Sequence, residues 1–552
     1  MIGKNKKGKL DVWNNITIIT FIILLVFLVY PLFNILKSSF LGANSGKLGM
    51  ENYLYFFKTK YYFNSLLNSL FVCTLATIFA TLLGVPMAYL MTRYNIPAKG
   101  LFYILIIISL LAPPFIGAYS WITLLGNNGI IVRFLKQLGI NIPSIYGWRG
   151  IVLVFTLQFY PHIFLYVQGA LNTIDESLEE AAESLGVSRF KRLTTITFPL
   201  ILPTILAGAL VVFLSAFADF GTPMLIGQGF NVIPVMAYNE FINEMGGNAA
   251  VASTLSVIMI VVSSLLLLVQ RSAIAKNNYT MSFMRPPKPK VIKGAKRFFA
   301  TLFCAIVVFI SILPQVIVVV SSFLETKGPI FYPKFSLNNY KTIMFKVPRS
   351  IFNTFAYSLI AIIIMVLGGM LISYILVRKK SKITALLDIF IMLPYVIPGT
   401  VLGIALIISF NKKPLILTGT WIILVISFVL RKLPYTVRSS VAILHQMDKS
   451  VEEASINLGV PPLKTFFKIT APIIASGVAS GSVISWITTI NEISSTIVLY
   501  SGFTATITVA VYSEVFASNF GTGAALASIL TFATVISLVV VQKLSGDKGI
   551  KM

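Results

Sequence analysis

Residues 175–199 read DESLEEAAESLGVSRFKRLTTITFP, and residues 448–472 read DKSVEEASINLGVPPLKTFFKITAP. The two stretches are copies of one polar segment, in which Glu180 reappears as Glu453, 273 positions later. The glycine, an isoleucine and a proline that follow this glutamate recur in the same register. A polar segment that is duplicated in an otherwise apolar chain indicates a task performed twice at a membrane surface.

The rest of the chain is apolar enough to predict a membrane protein. Its mean hydropathy is +0.87, with 57% hydrophobic and only 11% charged residues, which is outside the range of soluble domains. A membrane-spanning helix needs about 20 mostly apolar residues. The sequence predicts an all-α membrane protein with twelve transmembrane helices, six in each half. The predicted spans are 16–37, 63–90, 101–124, 150–171, 200–222, 249–270, 298–322, 352–377, 384–410, 417–437, 472–491 and 520–541.

The net charge of +26 does not indicate nucleic-acid binding, because the basic residues follow the predicted topology. With the N-terminus inside the cell, most basic clusters fall in cytoplasmic loops, and the external loops 223–248 and 492–519 contain no Lys or Arg. The external segments 38–62 and 324–351 do carry basic residues, which weakens the pattern without reversing it. Both polar segments and both termini are therefore predicted to be cytoplasmic, with some of the charge near anionic lipid headgroups.

The repeat divides the chain into two halves. We predict a first half over 1–270, a basic, proline-rich cytoplasmic linker over 271–297, and a second half over 298–552. Arg93 aligns with Arg378 when loop lengths are allowed to differ. Two six-helix halves with the same orientation predict a pseudo-twofold axis along the membrane normal.

Each polar segment has the features of a short helix followed by a tight reversal. In the first copy, a helix over 175–185 is expected to end at Gly186, because glycine adopts the left-handed backbone that such a reversal needs. A second, basic amphipathic helix is expected over 188–197, and Pro199 is expected to start the next span. Small residues beside carboxylates predict a surface that a partner can approach closely. The alternative is an ordinary helical hairpin packed under the bundle.

The pattern Glu-Ala-Ala, three residues, Gly, nine residues, Ile, two residues, Pro resembles the coupling-loop signature of permease subunits of binding-protein-dependent ABC importers. Ser455, in place of the second alanine, is the one small departure. Both halves resemble the six-helix type I importer fold, and the fused chain is most similar to the iron(III)-type permeases. The resemblance implies coupling loops at about 175–198 and about 448–471 that dock on a cytoplasmic ATPase. The implied docking residues are Glu179, Glu180, Ala181, Ala182, Gly186, Glu452, Glu453, Ala454, Ser455 and Gly459.

The same resemblance implies the partners and the location. It implies two copies of a cytoplasmic ABC ATPase, an external solute-binding protein, and a multi-pass position in the bacterial plasma membrane. ATP and Mg²⁺ would belong to the ATPase, and no cofactor and no catalytic residue is expected in this chain. The nearest stretch to a phosphate-binding loop, 42–48, has its glycines one residue too close and Leu48 where Ser or Thr would hold magnesium.

Two pairs of acidic residues are candidates for contact with the solute or its receptor. Asp219 and Glu492 each lie twenty residues after a coupling proline, about 30 Å along a helix and so near the outer end of a span. They are predicted to line the pathway or form an outer gate, and the alternative is that each caps a helix end. Glu240 and Glu514 are predicted to be external, in reach of basic residues on the binding protein.

Metal and redox chemistry are not expected. The two histidines, His162 and His445, are not at equivalent repeat positions, and Cys73 and Cys304 lie in separate predicted spans. Prolines at 113, 114, 394 and 398 are expected to interrupt the third and ninth helices.

A multi-pass chain of this kind fits three functional classes: an ABC importer permease, an ion-coupled secondary carrier and a membrane enzyme. Iron(III) is the first choice of solute by resemblance, and aminophosphonate, thiamine, hexose phosphate and polyamine are alternatives for the same type of importer. An ion-coupled secondary carrier would need carboxylates near mid-membrane. A membrane enzyme would need clustered catalytic side chains.

Overall fold

The computed structural model describes residues 12–42, 46–127, 129–243, 247–275 and 289–544. These residues are helical apart from loops and one antiparallel hairpin, Leu324–Lys327 with Ile330–Phe335, which the all-α prediction did not include. The helices before this hairpin are Val12–Leu24 (continued by a π turn, Leu25–Val29, and Tyr30–Ser39), Glu51–Lys58, Lys60–Arg93, Lys99–Leu111, Pro114–Leu125, Ile130–Gln137, Trp148–Thr173, Glu176–Ser184, Arg189–Arg192 (continued by a π turn, Leu193–Thr197, and Phe198–Ala218), Gly221–Ile226, Ile233–Ile242, Ala249–Ala275 and Gly294–Ser322. The helices after it are Asn338–Lys346, Pro348–Arg378, Lys382–Val396, Gly399–Phe410, Trp421–Gln446, Ser450–Asn457, Pro462–Thr465 (continued by a π turn, Phe466–Thr470, and Ala471–Ile490), Thr496–Leu499, Ile507–Phe516 and Phe520–Leu544.

Nine helices of the described residues are long and apolar enough to cross a membrane, and a bent pair makes ten. The predicted count of twelve is therefore not reached by this criterion. The predicted third span is divided into Lys99–Leu111 and Pro114–Leu125. The predicted ninth span is divided into Lys382–Val396 and Gly399–Phe410, which are bent by 110°.

Prolines mark both breaks, as predicted. Pro113 precedes the first residue of Pro114–Leu125, and Pro398 stands in the same place before Gly399–Phe410. A proline lacks the N–H of the helical ladder and disfavours helical backbone in the residue before it. Pro394, by contrast, lies inside helix Lys382–Val396.

The polypeptide after each polar segment differs from the prediction. We expected a separate amphipathic helix over 188–197 and a new span starting at Pro199. The structure instead continues Arg189–Arg192 through a π turn, Leu193–Thr197, into Phe198–Ala218. The second copy has the same π turn, directly before the helix that contains Pro472. A proline ring clashes with the carbonyl one turn earlier, and a locally widened turn relieves that crowding.

The described residues form two compact units, neither of which is continuous along the chain. Of those residues, the Glu180 unit contains the ones within 39–346 and 511–531, and the Glu453 unit contains 12–38, 347–510 and 532–544. The N-terminal helix is therefore part of the unit that holds most of the second half. Helix Gly294–Ser322 likewise belongs to the Glu180 unit, where Ser311 meets Ser109 and Tyr160.

Within each unit, long helices pack closely at equivalent glycines. In the Glu180 unit, a Cβ added at Gly84 would lie 2.7 Å from Cβ of Ile163. In the Glu453 unit, a Cβ added at Gly369 would lie 2.9 Å from Cγ2 of Thr436. Only glycine permits so close an approach of two helices. Each unit thereby joins a long helix to the helix that leads into its polar segment.

Candidate functional site

The first surface helix, Glu176–Ser184, begins and ends as its sequence predicts. The Asp175 carboxylate accepts a hydrogen bond from the Ser177 N–H at 2.9 Å. At the other end Gly186 has φ +74°, and the N–H groups of Gly186 and Val187 donate to the carbonyls of Glu183 and Ala182. This pair of backbone hydrogen bonds around a left-handed glycine closes the C-terminus of the helix.

The second surface helix, Ser450–Asn457, repeats this construction. Asp448 accepts a hydrogen bond from the Ser450 N–H at 2.9 Å, which lowers the pKa of its carboxyl group. Gly459 has φ +85°, and the Val460 N–H donates to the carbonyl of Ser455. The two polar segments therefore share their backbone as well as their sequence.

The predicted docking residues divide into an outward set and an inward set. The exposed residues are Glu180, Ala181, Gly186, Glu453, Ala454 and Gly459. The inward residues are Ala182, Glu452 and Ser455, which are buried, and Glu179, which is half-buried. Sequence alone placed both sets on one surface.

The half-buried Glu179 belongs to a three-residue contact that we name the first tie. The Arg93 guanidinium, at the end of helix Lys60–Arg93, pairs with the Glu179 carboxylate at 2.7 Å. The Thr197 hydroxyl donates to the same carboxylate oxygen at 3.2 Å. Because Thr197 lies on the continuous helix that follows, the first tie links two long helices through the surface helix.

The second tie consists of the equivalent residues Arg378, Glu452 and Thr470. Arg378 Nε lies 3.2 Å from Glu452 Oε2, and the Thr470 hydroxyl donates to Glu452 Oε1 at 3.3 Å. The Tyr374 hydroxyl also donates to this carboxylate, at 3.4 Å. The Glu452 side chain is only 6% exposed, against 19% for Glu179. The second tie is therefore the more deeply buried of the two.

Each surface helix also presents one leucine almost entirely to solvent. Leu185 is 83% exposed and Leu458 is 85% exposed, and each directly precedes the glycine of its segment. Their positions match across the repeat. A large apolar side chain held outward by a defined turn, twice, indicates contact with another surface. Sequence reasoning missed these leucines, although their identical place before each glycine was visible.

The first surface helix has ionic contacts that the second lacks among the described residues. Arg192 forms a short ion pair with Glu183, and Lys290 lies 3.9 Å from the same carboxylate. The hydrogen bond and charge of Arg192, with a contribution from Lys290, lower the pKa of Glu183. Lys290 also pairs its backbone with the end of helix Lys60–Arg93, where its N–H donates to the carbonyl of Arg93. The last residues of the predicted linker thus lie beside the first polar segment.

Glu492, predicted to act in the pathway or gate, lies in a buried charge cluster. Its carboxylate forms a short ion pair with Arg431 and lies 2.8 Å from Lys432 Nζ. The Ser495 N–H donates to it at 3.1 Å. Two cations face one carboxylate, so Glu492 is not a free ligand for a further cation in this state. Arg431 and Lys432 escaped sequence reasoning, although cations inside an apolar span demand a partner.

In the first half, the positions equivalent to this charge cluster carry one acid and no cation. Gln158 and Phe159 occupy the positions of Arg431 and Lys432, and the Gln158 amide donates to the carbonyl of Ala112 at 2.9 Å. Asp219, the counterpart of Glu492, accepts a hydrogen bond from the Thr222 N–H at 2.8 Å and is 9% exposed. The two predicted pathway acids therefore have different surroundings.

Glu240 and Glu514, predicted to meet a binding protein, both have partners within the chain. Glu240 accepts a hydrogen bond from the Tyr62 hydroxyl at 2.8 Å and is half-buried. Glu514 is 7% exposed, pairs with Lys346 at 2.8 Å and accepts from the Thr522 hydroxyl at 2.7 Å. Of the two, only Glu240 keeps part of its surface open.

The duplicated surface helices, their ties and the apolar helices around them define a multi-pass membrane permease made of two related halves. Residues 80–275 and 365–546 match the family described as the binding-protein-dependent transport system inner membrane component. The chain belongs to that family. It is accordingly a membrane subunit of an ABC importer, and the importer class implies an ATPase and a solute-binding protein as partners.

Two of three named relatives cover most of the chain. The ferric transport system permease protein FbpB of Actinobacillus pleuropneumoniae is 31% identical over 96% of this chain and 78% of the relative. A putative ferric transport system permease protein FbpB 1 of Haemophilus influenzae is 30% identical over 88% of this chain and 77% of the relative. The molybdenum transport system permease protein ModB of Escherichia coli is 30% identical over 37% of this chain and 90% of its own length. Among solved structures, a chain of a bacterial alginate ABC transporter aligns with a TM-score of 0.41 and 17% identity, covering 49% of this chain and 96% of that chain.

Proposed function

We propose that this chain carries iron(III) across the bacterial inner membrane, with energy from a separate ATPase and solute from an external binding protein. Relatives named as ferric or Fe(3+) permeases match 86–96% of the chain, whereas the 2-aminoethylphosphonate and molybdenum permeases match less than half, which supports iron(III). Aminophosphonate, thiamine, hexose phosphate and polyamine remain alternative solutes for the same machine.

The duplicated surface helix is the observation that carries the energy-coupling part of this proposal. Two equivalent outward surfaces suit two copies of one ATPase, each held by an exposed leucine, an acid and an alanine. These contacts are Leu185, Glu180 and Ala181 in the first copy, and Leu458, Glu453 and Ala454 in the second. ATP and Mg²⁺ bind to that ATPase in this scheme, and this chain holds no cofactor.

The ties supply a path for movement. Closure of the ATPase pair on ATP displaces the surface helices, and each tie carries the displacement to the two long helices that it joins. A salt bridge and a hydroxyl contact to one carboxylate hold the surface helix to both long helices, and such contacts are stronger away from water. The outcome is alternating access, in which ATP shifts the population between inward-open and outward-open arrangements.

The topology follows from the same docking. Surface helices that meet a cytoplasmic ATPase put both termini and the linker inside the cell, in agreement with the distribution of basic residues. Asp219 and Glu492 then lie toward the outer side, one membrane thickness from the surface helices. The buried cluster of Glu492 with Arg431 and Lys432 supports a role in holding an outer gate rather than in binding the cation itself.

The two glutamates predicted to contact the binding protein, Glu240 and Glu514, differ in how accessible their side chains are. Glu240 retains an accessible surface and is the proposed contact for a basic residue of the binding protein. Glu514, whose charge Lys346 already matches, instead holds helix Ile507–Phe516 in place. A partly exposed acid on the outer side suits the docking of a basic receptor surface, because opposite charges steer association.

Reconstitution tests the proposal. The chain is placed in proteoliposomes with its ATPase inside and its binding protein, loaded with ⁵⁵Fe(III), outside. The proposal is supported if iron uptake requires ATP and if the same binding protein, offered molybdate or phosphonate instead of iron, gives no uptake of either. Uptake without ATP, driven by a proton or sodium gradient, would identify an ion-coupled carrier and refute the assignment.

A further inference from the structure

The clearest unassigned feature is an open cleft beneath the first surface helix. It measures about 450 Å³ including the solvent at its mouth. Its walls include Tyr89 and Arg93 from the end of helix Lys60–Arg93, Arg189 and Arg192 from the helix that follows the first surface helix, Lys290 from the linker, and the acids Glu176 and Glu179. No step of the coupling scheme uses this space.

The equivalent position in the Glu453 unit is filled. There Trp13 packs on Tyr374, the counterpart of Tyr89, with ring centroids 4.3 Å apart, and on Phe466, the counterpart of Leu193, at 5.4 Å. Trp13 is 1% exposed. In the Glu180 unit the aromatic residues at the start of the corresponding helix, Phe298 and Phe299, are 62% and 66% exposed. The open cleft is thus a departure from the repeat.

The cleft is lined by more cations than acids. Its four basic side chains stand beside two acids, Glu176 and Glu179. Arg93 has an ion pair with Glu179, and Arg192 and Lys290 have ion pairs with Glu183, which leaves Arg189. The Arg189 guanidinium lies over the ring of Tyr94, 5.1 Å from its centre, and among the described residues no carboxylate forms an ion pair with it. In addition, the buried Nε of Arg93 has no hydrogen-bond acceptor among those residues.

This chemistry suits a phosphate group. Arginine binds phosphate oxygens through paired N–H donors, and an aromatic face behind the guanidinium fixes its orientation. An oxyanion in the cleft would lie beside Arg189 and Lys290, both of which line it. We propose that the cleft binds a phosphate group, supplied either by an anionic lipid headgroup or by a soluble phosphate compound. The site occurs once per chain, because Trp13 closes the second position.

The two sources are distinguished by two binding experiments on the purified full-length chain. In the first, the chain is kept in neutral detergent, inorganic phosphate is titrated, and binding is measured by calorimetry. In the second, the chain is placed in phosphatidylcholine nanodiscs with phosphatidylglycerol, and native mass spectrometry counts the retained anionic lipid. The variants are Arg189→Gln, and Lys464→Gln as a control, since Lys464 is an exposed cation of the second polar segment.

We expect Arg189→Gln to weaken binding of at least one probe about ten-fold, as loss of one charge-assisted contact implies, while Lys464→Gln binds as the parent does. Binding of phosphate itself indicates a soluble ligand, and retention of phosphatidylglycerol alone indicates a headgroup; both support the proposal. It is overturned if neither probe binds, or if Arg189→Gln binds both as tightly as the parent. Circular dichroism and gel filtration of the variant verify its fold, and neither binding measurement depends on which solute is transported.

Discussion

The two copies of the surface segment agree in their backbone and ties but differ in what lies around them. The first tie, Arg93–Glu179–Thr197, and the second, Arg378–Glu452–Thr470, use the same residue types in the same contacts. Away from the ties, Trp13 of the Glu453 unit fills the position that corresponds to the cleft, and the same unit contains the Arg431–Lys432–Glu492 cluster. The Glu180 unit has an open cleft and a neutral Gln158 instead.

This difference separates what duplication must preserve from what it can vary. If two copies of one ATPase dock as proposed, they need two equivalent contact surfaces, which accounts for the likeness of the surface helices and ties. The proposed docking does not require the buried polar groups of the two halves to match. Substitutions at equivalent positions should therefore have similar effects in the ties and different effects elsewhere.

The largest difference is expected between Glu492→Gln and Asp219→Asn. The first leaves two buried cations without a carboxylate, and breaking a buried ion pair from one side costs about 3–5 kcal/mol. The second keeps an oxygen that can accept from the Thr222 N–H, so it should cost about 1 kcal/mol or less. Thermal unfolding in detergent, compared with the parent chain, measures both. Equal losses would show that the two acids have the same surroundings after all.

Next in size is the contrast between Trp13→Ala and Phe298→Ala. Trp13 is buried against Tyr374 and Phe466, and removal of a buried aromatic side chain costs about 3 kcal/mol, whereas Phe298 is 62% exposed and its loss should change little. Protease sensitivity and melting temperature of the two variants check this. If the Phe298 variant is as unstable as the Trp13 variant, the position beside Phe298 is packed, and the cleft is not open.

The ties themselves should differ only in degree. Arg378→Met strands a carboxylate that is 6% exposed, and Arg93→Met strands one that is 19% exposed. We expect both to lower ATP-driven uptake, with a stability loss of about 2–3 kcal/mol for Arg378→Met and roughly half of that for Arg93→Met. ATP-driven transport and thermal unfolding are measured in parallel, so that a loss of coupling can be distinguished from a loss of folded protein. Uptake at the parent rate in a well-folded Arg93→Met variant would remove the first tie from the coupling path.

The smallest effects on stability are expected at the two surface glycines. Gly186→Val and Gly459→Val each force a β-branched residue to a φ of +74° or +85°, at a cost of about 1–2 kcal/mol. No neighbouring atom would meet the new Cβ, so the strain is confined to the turn that holds the leucine outward. Uptake should fall while membrane insertion persists.

Gly169→Val is the matched control for this pair, because Gly169 lies within a helix and its added Cβ also meets nothing. Normal ATP-dependent uptake by the Gly186→Val, Gly459→Val double variant would argue against a docking role for the turns.

Sequence predicted the features that depend on local patterns. Gly186 and Gly459 end their helices as expected, because the left-handed turn is a property of a few adjacent residues. Breaks near Pro113 and Pro398 were likewise predictable from the missing N–H of proline.

Features that depend on tertiary packing were missed. Glu179 and Glu452 looked like their exposed neighbours, since spacing along a short helix does not reveal which face is covered. Composition could not show that the N-terminal helix packs with the second half, because every span is similarly apolar. Arg431 and Lys432 were overlooked inside an apolar run, although their distance from any loop was a sign of a buried partner.

Leu185 and Leu458 are the proposed anchors of a separate ATPase, and this is tested by measuring how much of that ATPase a Leu185→Glu, Leu458→Glu chain retains. The control is Leu48→Glu, which changes an exposed leucine outside both polar segments. We expect the parent and the control to copurify with two ATPase copies and the double variant, although folded, to lose them. A folded double variant that retains both ATPase copies at the parent's affinity would show that the two leucines do not hold the ATPase.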